Sequence, residues 1–116
     1  MSDEFLTLAE LPEKGLAFLA VNFDSIEMRD WGRFVEASDR LMLKRQKRLV
    51  LDLRRLRRVL SVFIGAAVQM SSQAKSSGRR FTVLASGQLA GTLHNILGND
   101  ILEIVTDGRS PEELTG

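Results

Sequence analysis

The chain has 116 residues, of which 44% are hydrophobic and 27% charged. That balance excludes a disordered segment, and the length suits one domain, residues 1–116, with a core of its own. Cysteine is absent and the net charge is only +1, which excludes a disulfide framework and thiolate chemistry.

No apolar stretch approaches the roughly 20 residues of a bilayer crossing, so no membrane is expected among the partners. The start, Met1-Ser2-Asp3-Glu4, is acidic. An export signal begins basic and then runs apolar, so a cytoplasmic location is expected.

Residues 5–9 alternate as a first strand. Leu11-Pro12-Glu13-Lys14-Gly15 reads as a turn, since proline presets φ and glycine admits unusual values. The apolar run 16–23 predicts a second strand, ended by Asp24 and Ser25. Residues 28–43 have helical spacing. Trp31, Phe34, Val35, Ser38, Leu41 and Met42 recur at three and four residues and form one apolar stripe.

Residues 49–53, Leu-Val-Leu-Asp-Leu, form the clearest strand. Such a continuous apolar run suits a strand covered on both faces. An arginine-rich loop follows, with Leu56 and Val59 as its expected anchors. Residues 61–75 read as a second helix, with Val62, Phe63, Ala66, Ala67, Met70 and Ala74 as the expected buried face. Ser61 is placed at its N-cap, and Ser76-Ser77-Gly78 ends it.

Residues 81–85 are a further strand by β-branched and apolar content. Ser86 caps a short helix over 88–97, with Leu89, Leu93, Ile96 and Leu97 as its apolar side. Residues 101–105 are the last strand. Ser110-Pro111-Glu112-Glu113 has the cap serine, first-turn proline and later glutamate of a helix start and predicts a single turn. The element order β-β-α-β-α-β-α-β predicts α/β architecture with right-handed crossovers and a partly parallel sheet.

Charge is distributed unevenly. Residues 44–58 hold eight of the 16 basic side chains: Lys44, Arg45, Lys47, Arg48, Arg54, Arg55, Arg57 and Arg58. Asp52 is the only acid among them, so the segment carries +7 and the rest of the chain −6. If these side chains share a face, they create a strong positive potential. Three uses are open: a solvated loop, a docking face for an acidic protein, and a nucleic-acid contact. Protein docking ranks first and nucleic acid well below it, because no aromatic is interleaved with the basic run.

Enzymatic motifs are missing. His94 is the lone histidine, and no cysteine or acidic cluster at ligand spacing accompanies it, so neither a metal nor a cofactor is expected. Ser61, His94 and Asp52 supply the residue types of a hydrolytic triad but no motif links them. Ser86-Gly87-Gln88-Leu89-Ala90-Gly91 lacks the Lys-Ser/Thr of a phosphate loop. No catalytic residue is assigned.

The segment 48–107 resembles the STAS family, which includes anti-sigma factor antagonists and the cytosolic domains of sulfate transporters. That family writes a strand ending in Asp-Leu, here Asp52-Leu53, then an Asp-Ser-Ser-Gly-Leu motif opening a helix. About 18 residues later comes a glycine, here Gly78, before a strand. A short helix ending near a glycine, here Gly98, and a last strand follow. The resemblance implies a STAS-like fold, a small mixed sheet flanked by helices.

For function it implies a regulatory module that docks a partner kinase, an anti-sigma factor or a related ATPase. At the motif itself Leu60 stands for the aspartate, Ser61 matches the first serine, Val62 stands for the phosphoacceptor serine, and Phe63 stands for the glycine. Ser61 is then the candidate phosphorylation site. Arg54, Arg55, Arg57, Arg58, Leu60, Ser61, Val62 and Phe63 are the candidate partner-binding residues. A scaffold role in a stressosome-like assembly without a switch is the alternative within the family, and self-association stays open.

Overall fold

The computed structural model describes residues 5–114. Eight main elements follow in chain order. They are β1 (Leu6–Leu11), β2 (Leu16–Val21), α1 (Trp31–Met42), β3 (Arg48–Leu53), α2 (Ser61–Ser76), β4 (Arg80–Ala85), α3 (Gly87–Leu97) and β5 (Glu103–Val105). Single 3₁₀ turns span Pro12–Lys14, Met28–Asp30 and Pro111–Glu113. The predicted order of elements holds. The last strand is shorter than expected, since residues 99–102 bend before β5 begins.

The five strands lie in the order β1-β2-β3-β4-β5. β1 pairs antiparallel with β2, and the remaining neighbours are parallel. Gly15 makes the hairpin turn between β1 and β2, at φ 68°, a value that glycine adopts without a Cβ penalty. Every crossover steps the same way across the sheet. Right-handed crossovers in one direction put all their helices on one face.

That face holds the main core. Leu19, Val21, Leu49, Leu51, Leu53, Phe81 and Val83 meet Phe34, Leu41, Phe63, Ala67, Met70 and Leu89 from the three helices. α1 buries Phe34, Ser38, Leu41 and Met42 from the predicted stripe. α2 is rotated from the expected face: it buries Phe63, Ile64, Ala67, Met70, Ser71 and Ala74, while Val62 is 38% exposed. On α3, Leu89 and Leu93 are buried but Ile96 stands out at 57%.

The alternate strand residues face the other way. Leu16, Phe18, Ala20, Val50 and Leu84 form a second, smaller apolar cluster, and Leu114 completes it from the segment after β5. Pro111–Glu113 is the predicted single turn, closed by a reciprocal Ser110–Glu113 capping box. Through Leu114 this end segment covers the face that no helix reaches.

Charged groups border that cluster. Arg48 is 5% exposed; its Nε donates to Thr82 Oγ1 at 3.0 Å. Thr82 Oγ1 donates to Glu103 Oε1 at 2.7 Å, and Arg80 is paired with the same carboxylate. Burial pushes the Glu103 carboxyl up. Hydrogen bonds from Arg80 and Thr82, with the charges of Arg80 and Arg48, outweigh it and hold the group below its ordinary value.

Candidate docking surface

Parallel strands give the sheet two distinct ends. The loops before α1, α2 and α3 gather at the carboxyl ends of β2, β3 and β4, and the loops after those helices gather at the amino ends. β3 has six residues, or about 17 Å from first to last at roughly 3.3 Å per residue. The basic segment 44–58 is therefore divided. Lys44, Arg45 and Lys47 precede β3, Arg48 is buried within it, and the four remaining arginines follow it. The eight cations do not share a face.

The carboxyl-end loop is fixed by its own sequence. Leu56 is 1% exposed and its N–H turns back to Leu53 O at 3.1 Å. The Arg57 N–H donates to Asp24 O at 3.0 Å, which ties this loop to the one after β2. Val59 is half-buried against the main core. Both expected anchors are in place.

Arginines on this loop divide into two kinds. Arg54, a candidate partner-binding residue, is instead tied down within the fold. Its backbone N–H and Nε donate to Asp52 Oδ1 at 3.1 and 2.9 Å, and Nη2 to Oδ2 at 2.9 Å. Asp52 is buried on the second sheet face and needs those donors. The hydrogen bond to Asp52 is the foremost reason that the Arg54 pKa is raised. Arg54 Nη1 also reaches Gly108 O at 3.4 Å. Arg55 is exposed, but Nη1 donates to Asn22 O at 3.1 Å. Arg57 and Arg58 are exposed, and their guanidiniums have no partner among the described residues.

The start of α2 differs from expectation in two ways. Leu60 occupies the N-cap, with no side-chain cap hydrogen bond. Ser61 is one residue further in, at the first helical position, where it is exposed. Phe63 leaves the candidate surface altogether. It is 3% exposed and meets Trp31 and Phe34 edge-on, with ring centroids 5.3 and 5.2 Å apart. Its bulk is used as a core contact.

Leu60 is 43% exposed and Val62 38%. Leu60 lines a depression of about 370 Å³ together with Ser25, Ile26, Glu27, Arg58 and Val59. Two further apolar side chains stand out on the β2–α1 connection: Phe23 at 49% and Met28 at 56%. The sequence reading missed both, having assigned Phe23 to a strand and Met28 to a helix. Two polar residues, Asp24 and Ser25, mark the place where such a connection begins.

The triad types are not brought together. Asp52 points from the second face, whereas Ser61 and His94 belong to helices on the first. His94 is exposed on α3, as expected. Ser86 caps α3 as predicted, accepting from the Leu89 N–H at 3.2 Å. No helix among the described residues is long and apolar enough to cross a membrane. No family model matches the chain, and no curated protein matches it.

Proposed function

We propose that the protein is a docking module of the STAS kind that regulates a partner by binding it and does no chemistry of its own. One observation carries the reading. Exposed Leu60 lines one depression with Arg58, and exposed Val62 and Arg57 flank them in sequence, on a loop held at Leu56 and at the Arg57–Asp24 hydrogen bond. Apolar centres edged by positive charge fit an acidic protein surface, with charge guiding encounter and apolar contact holding the complex. Phe23 and Met28 extend the surface.

The partner class follows from the resemblance: an anti-sigma factor kinase or related ATPase in a cytoplasmic partner-switching assembly. Sequestering it would alter transcription indirectly. Ser61 is the only hydroxyl in the loop 54–63 and is the residue available for phosphorylation. Val62 favours a second reading, a scaffold without a switch, because no phosphate can form at the family's acceptor position.

The test is association of the pure chain with a histidine-kinase-like ATPase of the anti-sigma class from the same genome. Val62→Glu should abolish it while leaving the fold intact. Incubation with ATP separates switch from scaffold, since only a switch acquires phosphate at Ser61. A labelled DNA duplex is the counter-test: a salt-sensitive shift lost on Arg57→Gln with Arg58→Gln would transfer the surface to nucleic acid.

A further inference from the structure

The amino end of the parallel strands carries the other half of the divided basic segment, and it is distinct from the docking surface. Three loops meet there. Arg48 N–H donates to Gly15 O at 3.1 Å and Arg80 N–H to Lys47 O at 2.8 Å, so the β1–β2 turn, the α1–β3 loop and the α2–β4 loop lie side by side. With the last turn of α2, they bring together Lys14, Lys44, Arg45, Lys47, Lys75 and Arg79.

Arg79 cements the junction. Nη1 donates to Met42 O at 3.0 Å, at the carboxyl end of α1, and to Lys44 O at 2.8 Å, in the loop just after it. Arg45, Lys47 and Lys75 are exposed. The acids at this end are Glu10, Glu13, Asp39, Asp100 and Glu103; Glu10 is already engaged by Gln46 and Lys44, and Glu103 by Arg80 and Arg48. Positive charge therefore dominates.

Leu43 stands among these cations at 79% exposure, the highest of any large hydrophobic residue described. It lines two depressions, one with Leu8, Ala9, Glu10 and Arg40, the other with Arg45, Lys47, Gly78 and Arg79. A side chain that borders both hollows and is itself exposed is the ridge between them. A core has no use for it, and an isolated chain gains nothing by presenting it to water.

We propose that this end of the protein rests on an anionic lipid surface, with Leu43 entering the acyl boundary and the surrounding cations meeting headgroup phosphates. Surface contact requires no spanning helix. It requires basic residues at the headgroups and apolar area below them. A nucleic-acid backbone would satisfy the cations, but it offers Leu43 nothing apolar to bury against. Exposed aromatics that stack on bases are also missing from this end among the described residues, since Phe23, the exposed phenylalanine, lies at the other.

The test is co-sedimentation of the full chain with vesicles of phosphatidylcholine, alone or mixed with phosphatidylglycerol. Binding should appear with the mixed vesicles at low salt and weaken as salt rises. Arg45→Gln with Lys47→Gln should weaken it roughly 30-fold, at about 1 kcal/mol for each basic residue near the surface. Arg29→Gln, at the opposite end, should leave it unchanged. Leu43→Trp should be quenched by brominated lipid, with the wild-type chain and its Trp31 as background. Equal binding to both vesicle types, or no quenching at position 43, overturns the proposal. Tighter binding to a labelled RNA or DNA duplex than to the mixed vesicles, unaffected by Leu43→Ser, also overturns it.

Discussion

At the amino end of β3, exposed cations surround a protruding leucine and outnumber the acids that are not already paired. At the carboxyl end, four consecutive-looking arginines behave as two pairs. Arg54 and Arg55 are spent on Asp52, Gly108 and Asn22, and only Arg57 and Arg58 face outward unpaired. In sequence the two groups are one run of positive charge. In space a six-residue strand separates them, and carboxylates on the second face of the sheet take one member from each: Asp52 holds Arg54, and Glu103 of β5 pairs with Arg48 as well as with Arg80. Charge density along a chain becomes a field only where the fold leaves the charges together and free.

The largest effect should come from destroying the separator. Val50 is fully buried at the centre of β3, under the cluster that Leu114 closes. Val50→Asp would bury an unpaired carboxylate, at a cost of about 4 kcal/mol or more, which rivals the whole stability of a small domain. The expected outcome is loss of a cooperative thermal transition by circular dichroism. A cooperatively melting Val50→Asp protein would mean that β3 does not divide the basic segment.

Asp52→Ala sharpens the comparison at one end. It leaves Arg54 without its main acceptor, and because Arg54 is partly exposed, water recovers part of the loss. A cost of about 2 kcal/mol is expected, read as a lower urea midpoint. If the midpoint is unchanged, Arg54 is not pinned and joins Arg57 and Arg58 as a free charge.

Glu103 sets the corresponding test on the other side. Its folded-state pKa is depressed from the ordinary value of about 4.5. The group therefore contributes stability that is present above that value and lost as pH falls through the folded-state pKa. Glu103→Gln should be less stable than the wild type at neutral pH, and the gap should close in acid. A gap that stays constant with pH would show that Arg80 and Thr82 do not hold the carboxylate.

Most of the fold was legible because its signals are local and redundant. The run 49–53 has the continuous apolar content that suits a doubly covered strand, and Ser86 and Ser110 announced their helix starts. The failures cluster where one rotation angle or one residue of register decides the outcome. Small residues on α2 gave its apolar face little definition, so Val62 was assigned inward while Ile64 and Ser71 took the buried positions. Leu60 rather than Ser61 became the cap, a difference of one position. The division of the basic segment followed from the strand already recognised in its middle. The pinning of Arg54 did not, because it depends on which sheet face Asp52 occupies and on Gly108, distant in sequence.

The smallest expected effect on stability is the one that bears most on function. Arg57 and Arg58 are exposed, and neither guanidinium has a partner among the described residues. Reversing them, Arg57→Glu with Arg58→Glu, breaks no ion pair in the fold. Leu56 and the backbone bond from Arg57 to Asp24 still hold the loop, so the urea midpoint should move by less than about 0.5 kcal/mol in free energy. Association with an acidic partner should respond differently. Reversed charges oppose the encounter that the native pair steers, and steering acts on the association rate over about a Debye length, roughly 10 Å at 0.1 M salt. The rate should fall most at low ionic strength, and the two proteins should converge as salt rises. The same reversal at Arg45 and Lys47 should leave that rate unchanged, because those residues stand at the far end of β3. Stopped-flow or surface-binding kinetics at two ionic strengths reads both pairs of variants. If both pairs slow association equally, the two ends act as one field and the comparison fails. If neither does, the arginines of the carboxyl end are only a solvated loop.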